Sequence, residues 1–261
     1  MYLAYQQNGG DMDLLEGKVA IITGAASANG IGKRTAELFI KHGAHVVITD
    51  INEAACQQAQ ADIGDEHLAI AMDVANKADC ERVAEAVIER FGKIDILVNN
   101  AGVTQPVKLL DITHSDYTRV TDVSLLGSLY MSQAVLPHMQ ANNQGSIVCM
   151  SSVSAQRGGG IFGGPHYSAA KAGVLGLAKA MAREFGNHRI RVNSIAPGLI
   201  QTDITQGKLS DQQKKDVIQS IPLNRLGENT DVANACLFLA SDLSSYITGS
   251  TIDVNGGMLI Y

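Results

Sequence analysis

Short apolar runs alternate with segments of helical periodicity along almost the whole chain, and this alternation limits the fold more than any other feature. Seven runs rich in β-branched residues occur, at 19–23, 45–50, 67–74, 95–102, 146–152, 191–197 and 250–254. Alternating strands and helices require right-handed crossovers and therefore a parallel sheet covered on both faces. We predict an α/β fold: a Rossmann-like, doubly wound, parallel sheet of about seven strands with helices on both faces, in a single domain.

The domain boundaries follow from the same pattern. Residues 1–13 lack periodicity and contain two glycines, which predicts a flexible N-terminal arm before one domain over 14–261. Long helices are predicted at about 115–141 and 165–186, and a shorter one at 231–240. The polar stretch 199–225 is interpreted as a substrate lid, because such loops gate access and exclude water.

Composition narrows the possible partners and the cell compartment. The net charge is −6 and Lys and Arg form no cluster, which argues against nucleic-acid binding. No apolar run reaches 18 residues, so we expect no membrane span, and the first residues do not resemble a secretory signal. Four widely spaced cysteines without a CxxC pair indicate reduced core residues of a cytoplasmic protein and no metal site.

A glycine-rich turn after the first run indicates a phosphate-binding site. Gly24, Gly30 and Gly32 precede a predicted helix. Glycines let a backbone approach a pyrophosphate, and a helix N-terminus offers unpaired N–H groups and a partial positive charge. A turn of this kind is also common where no nucleotide binds.

The second run ends at Asp50, 18 residues after Gly32, where a carboxylate can accept hydrogen bonds from ribose hydroxyls. Asp50 would repel a 2′-phosphate, so NAD is predicted rather than NADP, although Lys33 and Arg34 keep NADP open. Asp50 could instead cap the strand or the next helix. Two further runs end in Asp73-Val74 and in the segment 99–102, which we expect at the same edge of the sheet.

Tyr167 and Lys171 indicate acid–base chemistry. Their spacing of four residues puts them on one helix face, where an ammonium lowers the pKa of a phenol. Such a tyrosine exchanges protons with an alcohol or a ketone. Ser152 ends the strand upstream, and its hydroxyl can bind the substrate oxygen. The same spacing also occurs on solvated helix faces.

Together these motifs resemble the short-chain dehydrogenase/reductase family over about residues 14–257. The segments that carry the resemblance are TG…GIG at 23–32, Asp50, Asp73-Val74, NNAG at 99–102, Ser152, YSAAK at 167–171, IAPG at 195–198 and DVNGG at 253–257. The resemblance implies hydride transfer between a nicotinamide and a carbinol or carbonyl carbon.

The resemblance also assigns roles to residues. Tyr167 would be the acid/base, Lys171 would bind the nicotinamide ribose and lower the pKa of Tyr167, and Ser152 would orient the substrate oxygen. The expected cofactor-binding residues are Gly24, Asn29, Gly30, Ile31, Gly32, Asp50, Ile51, Asp73, Val74, Asn100, Ala101, Gly102, Tyr167, Lys171, Pro197, Gly198, Ile200 and Thr202.

The chain departs from the family pattern at three places. Five residues separate Gly24 from Gly30, where the family has three, and Asn29 is expected to adapt this longer turn. The gap between Ser152 and Tyr167 is also two residues longer; counting back the usual gap would select Ser154, but the glycine loop 157–164 explains the excess and favours Ser152. Ser124 stands where the family has a catalytic Asn, so we expect a rearranged proton relay.

The predicted substrate pocket contains Ser152, Arg157, Phe162, His166 and Tyr167. Its polar surroundings predict a hydroxylated small molecule, such as a sugar, a polyol or a hydroxy acid. A 3-oxoacyl-acyl-carrier-protein reductase is the alternative, although such enzymes usually favour NADP and need a basic patch for the carrier. A non-catalytic NAD-binding sensor is a further alternative. The resemblance also implies a homotetramer, or else a homodimer.

Overall fold

The structure, a computed structural model, describes residues 13–203 and 210–261. The described strands are β1 Val19–Thr23, β2 His45–Asp50, β3 Leu68–Ala71, β4 Ile96–Asn99, β5 Gly145–Met150, β6 Ile190–Pro197, β7 Ile200–Gln201, β8 Gly227–Glu228 and β9 Thr251–Val254. The described α-helices are α1 Ile31–Lys41, α2 Glu53–Ile63, α3 Lys77–Phe91, α4 His114–Thr121, α5 Gly127–Ala141, α6 Val153–Arg157, α7 Pro165–Phe185, α8 Asp211–Gln219 and α9 Asn229–Ala240. The predicted N-terminal arm, apart from Asp13, and the middle of the predicted lid lie outside the described residues.

Seven strands form one parallel sheet in the order β3-β2-β1-β4-β5-β6-β9. The predicted doubly wound sheet is therefore confirmed. The strand order reverses between β1 and β4, and ligands bind outside the carboxyl ends of the strands at such a switch point. The remaining two strands, β7 and β8, pair with each other and frame the excursion that contains α8.

The sheet is buried on both faces, which explains its nearly continuous apolar strands. Ala20 and Ile22 of β1 face one apolar core, which α1 and α9 cover through residues such as Phe39 and Cys236. Val19 and Ile21 face the other core, which α3, α5 and α7 cover. Both cores hold the strand ends in fixed positions relative to one another.

The helix predicted at about 115–141 is not uniform. The segment Asp122–Leu126 between α4 and α5 is a π-helix, and Ser124 lies within it. A π turn inserts an extra residue into a helix and is frequent at functional sites. The sequence showed no sign of it, because the apolar periodicity continues on both sides. The short helix α6, directly after β5, was also not predicted.

All four cysteines lie in the described part of the chain and are buried and free. Burial raises the pKa of Cys80 to about 11 and that of Cys149 and Cys236 to about 12. These thiols are therefore core residues, as predicted. Among the described residues no helix combines the length and apolarity needed to cross a bilayer. The cytoplasmic location stays a prediction.

Candidate active site

A cavity of about 810 Å³ opens at the carboxyl ends of the parallel strands, within the usual size range of ligand sites. It brings together residues from both halves of the sheet. The predicted residues that line it are Gly24, Gly30, Ile31, Asp50, Ile51, Asp73, Val74, Asn100, Ala101, Gly102, Ser152, Arg157, Phe162, Tyr167, Lys171, Pro197, Gly198, Ile200 and Thr202. The predicted residues Asn29, Gly32, Ser124 and His166 do not line it.

The glycine-rich turn is fastened to the end of β4. Gly24 has φ +61°, and a Cβ there would lie 2.8 Å from the Cα of Ala101, so only glycine fits. The Asn100 amide donates to the carbonyl oxygens of Thr23 and Gly24 at 2.8 and 2.9 Å. The side chain of Asn100 therefore stabilises the conformation of the turn, and the residue also lines the cavity.

Gly32 acts in the same way, because it packs against the turn and not against the cavity. A Cβ at Gly32 would lie 2.7 Å from Asn100 Nδ2 and 2.8 Å from the Cα of Ala25. The absence of a Cβ at Gly32 thus permits a close approach of helix α1 to the turn, while its backbone contact to the cofactor stays a prediction. Such an approach brings the first N–H groups of α1 to the cavity wall.

Replacing Gly32 with Ala is expected to lower the free energy of unfolding by about 1–3 kcal/mol, the usual effect of overpacking, and to weaken dinucleotide binding. Urea unfolding and NADH fluorescence titration measure the two effects. Gly176→Ala in α7 is the control, because no described atom lies within 4 Å of its Cβ position; it should stabilise by about 0.5–1 kcal/mol. Equal stability of the two variants would contradict the packing argument.

The wall near β1 and β2 presents groups suited to a dinucleotide. Among the described residues, no acceptor binds the backbone N–H groups of Ile31, Gly32 and Lys33 at the start of α1. Asp50 accepts from the N–H of Ala26 and of Asn52, both at 3.2 Å, which fixes its carboxylate at the cavity edge. Helix N–H groups suit a pyrophosphate and the carboxylate suits ribose hydroxyls. The residues present therefore fit a nicotinamide dinucleotide.

Asp73 has a similar setting at the end of β3. Its Oδ1 accepts from the N–H of Ala75 at 2.9 Å, and Val74 beside it is buried. Both residues line the cavity next to Val123 and Asp122 of the π segment. Asp73 and Asp122 thus contribute carboxylates to the cavity lining, and Val74 and Val123 contribute apolar side chains.

Ser152, Tyr167 and Lys171 all line the opposite end of the cavity. Ser152 is the N-cap of α6, and its Oγ accepts from the N–H of Ser154 at 3.1 Å. Tyr167 and Lys171 lie one turn apart in α7, which begins at Pro165. Ser154, selected by the alternative count, also lines the cavity. Of the two serines, only Ser152 is a cause of the pKa shift of Tyr167, which favours Ser152 as the substrate-orienting serine.

The pKa of Tyr167 is higher than that of a free phenol, contrary to the expectation that Lys171 lowers it. Desolvation by burial raises this pKa, and hydrogen bonding with the Ser152 side chain lowers it by a smaller amount. Burial therefore outweighs any stabilisation of the phenolate by Lys171, whose Nζ donates to the carbonyl oxygen of Met150 at 2.7 Å. At neutral pH Tyr167 is therefore a protonated phenol, ready to act as an acid.

Lys171 is 3% exposed, and desolvation lowers its pKa to about 8. Below that pH the ammonium form predominates; above it the amine is neutral. A cation one helical turn from Tyr167 stabilises the phenolate that forms when the phenol gives up its proton. At neutral pH Lys171 is therefore charged and Tyr167 is protonated.

The kcat/KM of ketone reduction is accordingly expected to fall as pH rises through about 8, the pKa of Lys171, because kcat/KM follows the titration of the free enzyme. Tyr167 does not cause this decline, since its own pKa is raised. A pH profile of kcat/KM at constant ionic strength measures it. A rate that stays constant well above this pH would contradict the assignment.

Ser124 is fully buried, and its Oγ has no hydrogen-bond partner among the described residues. It lies next to Lys171 rather than at the cavity wall: a Cβ at Gly102 would be 3.5 Å from Ser124 Oγ and 3.0 Å from Lys171 Nζ. The side chain of Ser124 thus faces the same narrow gap as the lysine amine.

His166 is turned away from the cavity, so its predicted place in the substrate pocket is wrong. Its Nε2 pairs with Gln105 Oε1 at 3.1 Å, and the Gln105 amide donates to Asp116 at 3.0 Å. Adjacent residues of a helix point in different directions. Because Tyr167 faces the cavity, His166 faces the neighbouring loop.

The substrate end has a more apolar lining than the sequence suggested. Ile161 and Phe162 of the glycine loop line it together with Leu199, Val217 of α8 and Met258 near the C-terminus. Val217 and Met258 were not predicted as lining residues. The amphipathic pattern of α8 could have indicated Val217; no local signal marks Met258.

Comparisons with known proteins identify relatives that match almost the whole chain. A family model described as enoyl-(acyl carrier protein) reductase matches residues 24–259. An uncharacterised short-chain type dehydrogenase/reductase of Sinorhizobium fredii, y4mP, is 59% identical over 95% of this chain and 100% of its own length. The 3-oxoacyl-[acyl-carrier-protein] reductase FabG of Vibrio cholerae is 41% identical over 94% of this chain and 98% of its own length.

A solved structure agrees as well. The crystal structure of gox2181 has a TM-score of 0.90 and 32% sequence identity to this chain, and the match covers 95% of this chain and 98% of that one. The chain therefore belongs to the short-chain dehydrogenase/reductase family, a family of oxidoreductases, and the resemblance inferred from its motifs is confirmed.

Proposed function

We propose that this chain is a nicotinamide-dependent ketoreductase that interconverts a 3-oxoacyl group and the corresponding secondary alcohol. The placement of Ser152, Tyr167 and Lys171 in one cavity with the glycine-rich turn carries this proposal. Two observations favour the acyl substrate: the apolar wall near Tyr167, and the 3-oxoacyl-[acyl-carrier-protein] reductases among the relatives. This substrate class replaces the hydroxylated small molecule as the first candidate.

In reduction, Ser152 donates a hydrogen bond to the substrate carbonyl oxygen and keeps that oxygen beside Tyr167. A nicotinamide held in this cavity would supply the hydride to the carbonyl carbon. Tyr167 gives its phenolic proton to the oxygen, and the cationic Lys171 stabilises the resulting phenolate. The reverse direction needs the phenolate first, so the raised pKa of Tyr167 favours reduction at neutral pH.

Ser124 is the residue that we assign to returning a proton to this centre. Its unpartnered Oγ and the Lys171 Nζ face the same gap beside Gly102. A hydroxyl there can accept from the ammonium and donate onward. In this proposal Ser124 replaces the Asn of the family pattern in a rearranged relay.

NAD is the cofactor that we propose. The Asp50 carboxylate is held at the cavity edge by two backbone N–H groups, where it can accept from two ribose hydroxyls. A 2′-phosphate at the same place would meet this negative charge. The two basic residues that kept NADP open have other partners: Lys33 pairs with Asp62, and Arg34 binds Glu37 and Thr230.

A hydroxylated small molecule, such as a polyol or a hydroxy acid, is the second candidate substrate. Arg157 favours it: the residue lines the substrate end, and no hydrogen bond or ion pair joins it to another described residue. A carboxylate or several hydroxyls of a substrate would give this guanidinium its partners.

Absorbance at 340 nm decides between these functions. The purified chain is assayed with NADH and a 3-oxoacyl thioester, with NAD and a panel of polyols and hydroxy acids, and with NADPH and NADP in parallel. Reduction of the thioester at a higher kcat/KM than turnover of any panel member supports the proposal. A better panel member would establish the second candidate. NAD binding without any turnover dependent on Tyr167 would establish a sensor.

We also propose that the chain assembles into a homotetramer, or else a homodimer, and that it acts in the cytoplasm on a small-molecule substrate without a nucleic-acid or membrane partner. Exposed apolar side chains supply candidate contact surfaces: Leu110 is 96% exposed near α4 and Tyr261 is 85% exposed at the C-terminus. Light scattering of the purified chain measures the assembly, and a monomer at micromolar concentration would contradict it.

A further inference from the structure

Asp203 connects two parts of the chain that the sheet keeps apart. It follows β7 at the start of the excursion between β7 and β8. Three hydrogen bonds hold its carboxylate: from Ser27 Oγ to Oδ2 at 2.7 Å, from the Asn29 N–H to Oδ2 at 3.0 Å, and from Asn29 Nδ2 to Oδ1 at 2.8 Å. Both donor residues belong to the glycine-rich turn.

The turn can make this contact because it is long. Five residues lie between Gly24 and Gly30, and Ser27 and Asn29 are two of them. Asn29 was predicted to contact the cofactor; in the structure its backbone and its side chain both donate to Asp203. The longer turn thus provides the donors for a carboxylate from the other half of the fold.

The contact crosses the mouth of the cavity. β4 and β5 lie between β1 and β6 in the sheet, and adjacent strands are about 4.8 Å apart, so the chain leaving β6 spans about 14 Å to reach the turn after β1. Gly30, Thr202 and Asp203 all line the cavity below. The contact of Asp203 with Ser27 and Asn29 is called the bridge below. A dinucleotide lying along the carboxyl ends of these strands would pass under this bridge.

The carboxylate of Asp203 does not bind the backbone N–H groups that a pyrophosphate would need. Asp203 binds Ser27 and Asn29, whereas the N–H groups of Ile31, Gly32 and Lys33 have no acceptor among the described residues. The bridge and a bound dinucleotide can therefore be present together. Its hydrogen bonds also lower the pKa of Asp203, so the carboxylate remains charged across the neutral range.

We propose that Asp203 is a positioning residue that closes the chain over the bound dinucleotide by docking onto Ser27 and Asn29, and that it thereby slows dinucleotide release. The proposal rests on the dinucleotide site of the proposed function. The longer turn then helps to retain the cofactor, and the hydride-transfer step itself is unchanged.

The test is the rate of NADH release, followed by stopped-flow fluorescence when excess NAD displaces NADH. Asp203→Asn should release NADH about fivefold to tenfold faster, the effect of weakening charge-assisted hydrogen bonds at an exposed site. Its KM for NADH should rise, while the single-turnover rate of hydride transfer stays within about twofold. Asp216→Asn is the matched control, because among the residues that the structure describes this exposed carboxylate of α8 binds only Gln212, and the charge change is the same.

Double variants distinguish docking from a general charge effect. Asn29→Ala should also speed release, and adding it to Asp203→Asn should give little further change, because both remove one contact. Fully additive effects, or equal release from Asp203→Asn and Asp216→Asn, would overturn the proposal. So would tighter NADH binding by Asp203→Asn, since the carboxylate would then compete with the cofactor. If the unaltered chain does not bind NADH, the proposed function itself fails.

Discussion

Tyr167→Phe is expected to lower kcat for ketone reduction by about 10²–10⁴-fold, the contribution of a positioned general acid. The variant removes one oxygen atom and leaves the ring that packs against Gly163. Binding of NADH should be nearly unchanged, since the proposed pyrophosphate and adenosine contacts lie at the other end of the cavity. Steady-state rates and NADH fluorescence titration on the same preparations measure the two quantities.

Tyr130→Phe in α5 is the matched control, because Tyr130 packs against the core behind the sheet and does not line the cavity. This variant should retain activity within about twofold, as expected for a surface or core change remote from the chemistry. Retention of most of the activity by Tyr167→Phe would show that another group supplies the proton and would overturn the mechanism.

Asp50→Asn is expected to change the preference for NAD over NADP by about tenfold to a hundredfold in favour of NADP. Two charges a few ångströms apart at a protein surface interact by about 1–4 kcal/mol, so removing the carboxylate charge removes repulsion of that size. Asn retains an acceptor for the N–H groups that hold Asp50, and the turn should keep its shape. The ratio of kcat/KM values for the two reduced cofactors measures the change.

Asp65→Asn makes the same charge change at an exposed position outside the cavity lining, and should leave this ratio unaltered. A chain that already prefers NADPH, or an Asp50→Asn variant with an unchanged ratio, would show that Asp50 does not select the cofactor. In that case the 3-oxoacyl-[acyl-carrier-protein] reductases among the relatives would indicate the cofactor better than Asp50 at the end of β2 does.

Much of the site follows from where each strand ends. The carboxyl ends of parallel strands share one edge of a sheet, so Asp50, Asp73 and Ser152 could be placed together before any coordinates were known. The spacing of Tyr167 and Lys171 placed both on one face of α7. His166 could not be placed in this way, because its direction depends on the loop that contains Gln105.

The protonation of the site needed the tertiary structure. Sequence spacing put an amine one turn from a phenol and predicted a lowered pKa. Burial of Tyr167 reverses that expectation. Desolvation depends on every element that packs around a group, and no local pattern records it.

By itself, the sequence determined the alternation of strands and helices, the parallel sheet and the family. Hydrophobic periodicity and turn residues involve only a few neighbouring positions, so the sequence shows them directly. Only the tertiary structure decided that Asn29 binds Asp203, that Ser124 lies in a π turn beside Lys171, and that Met258 reaches the cavity wall. These contacts join residues far apart in the chain, and they exist because packing of the two cores fixes where each loop can go.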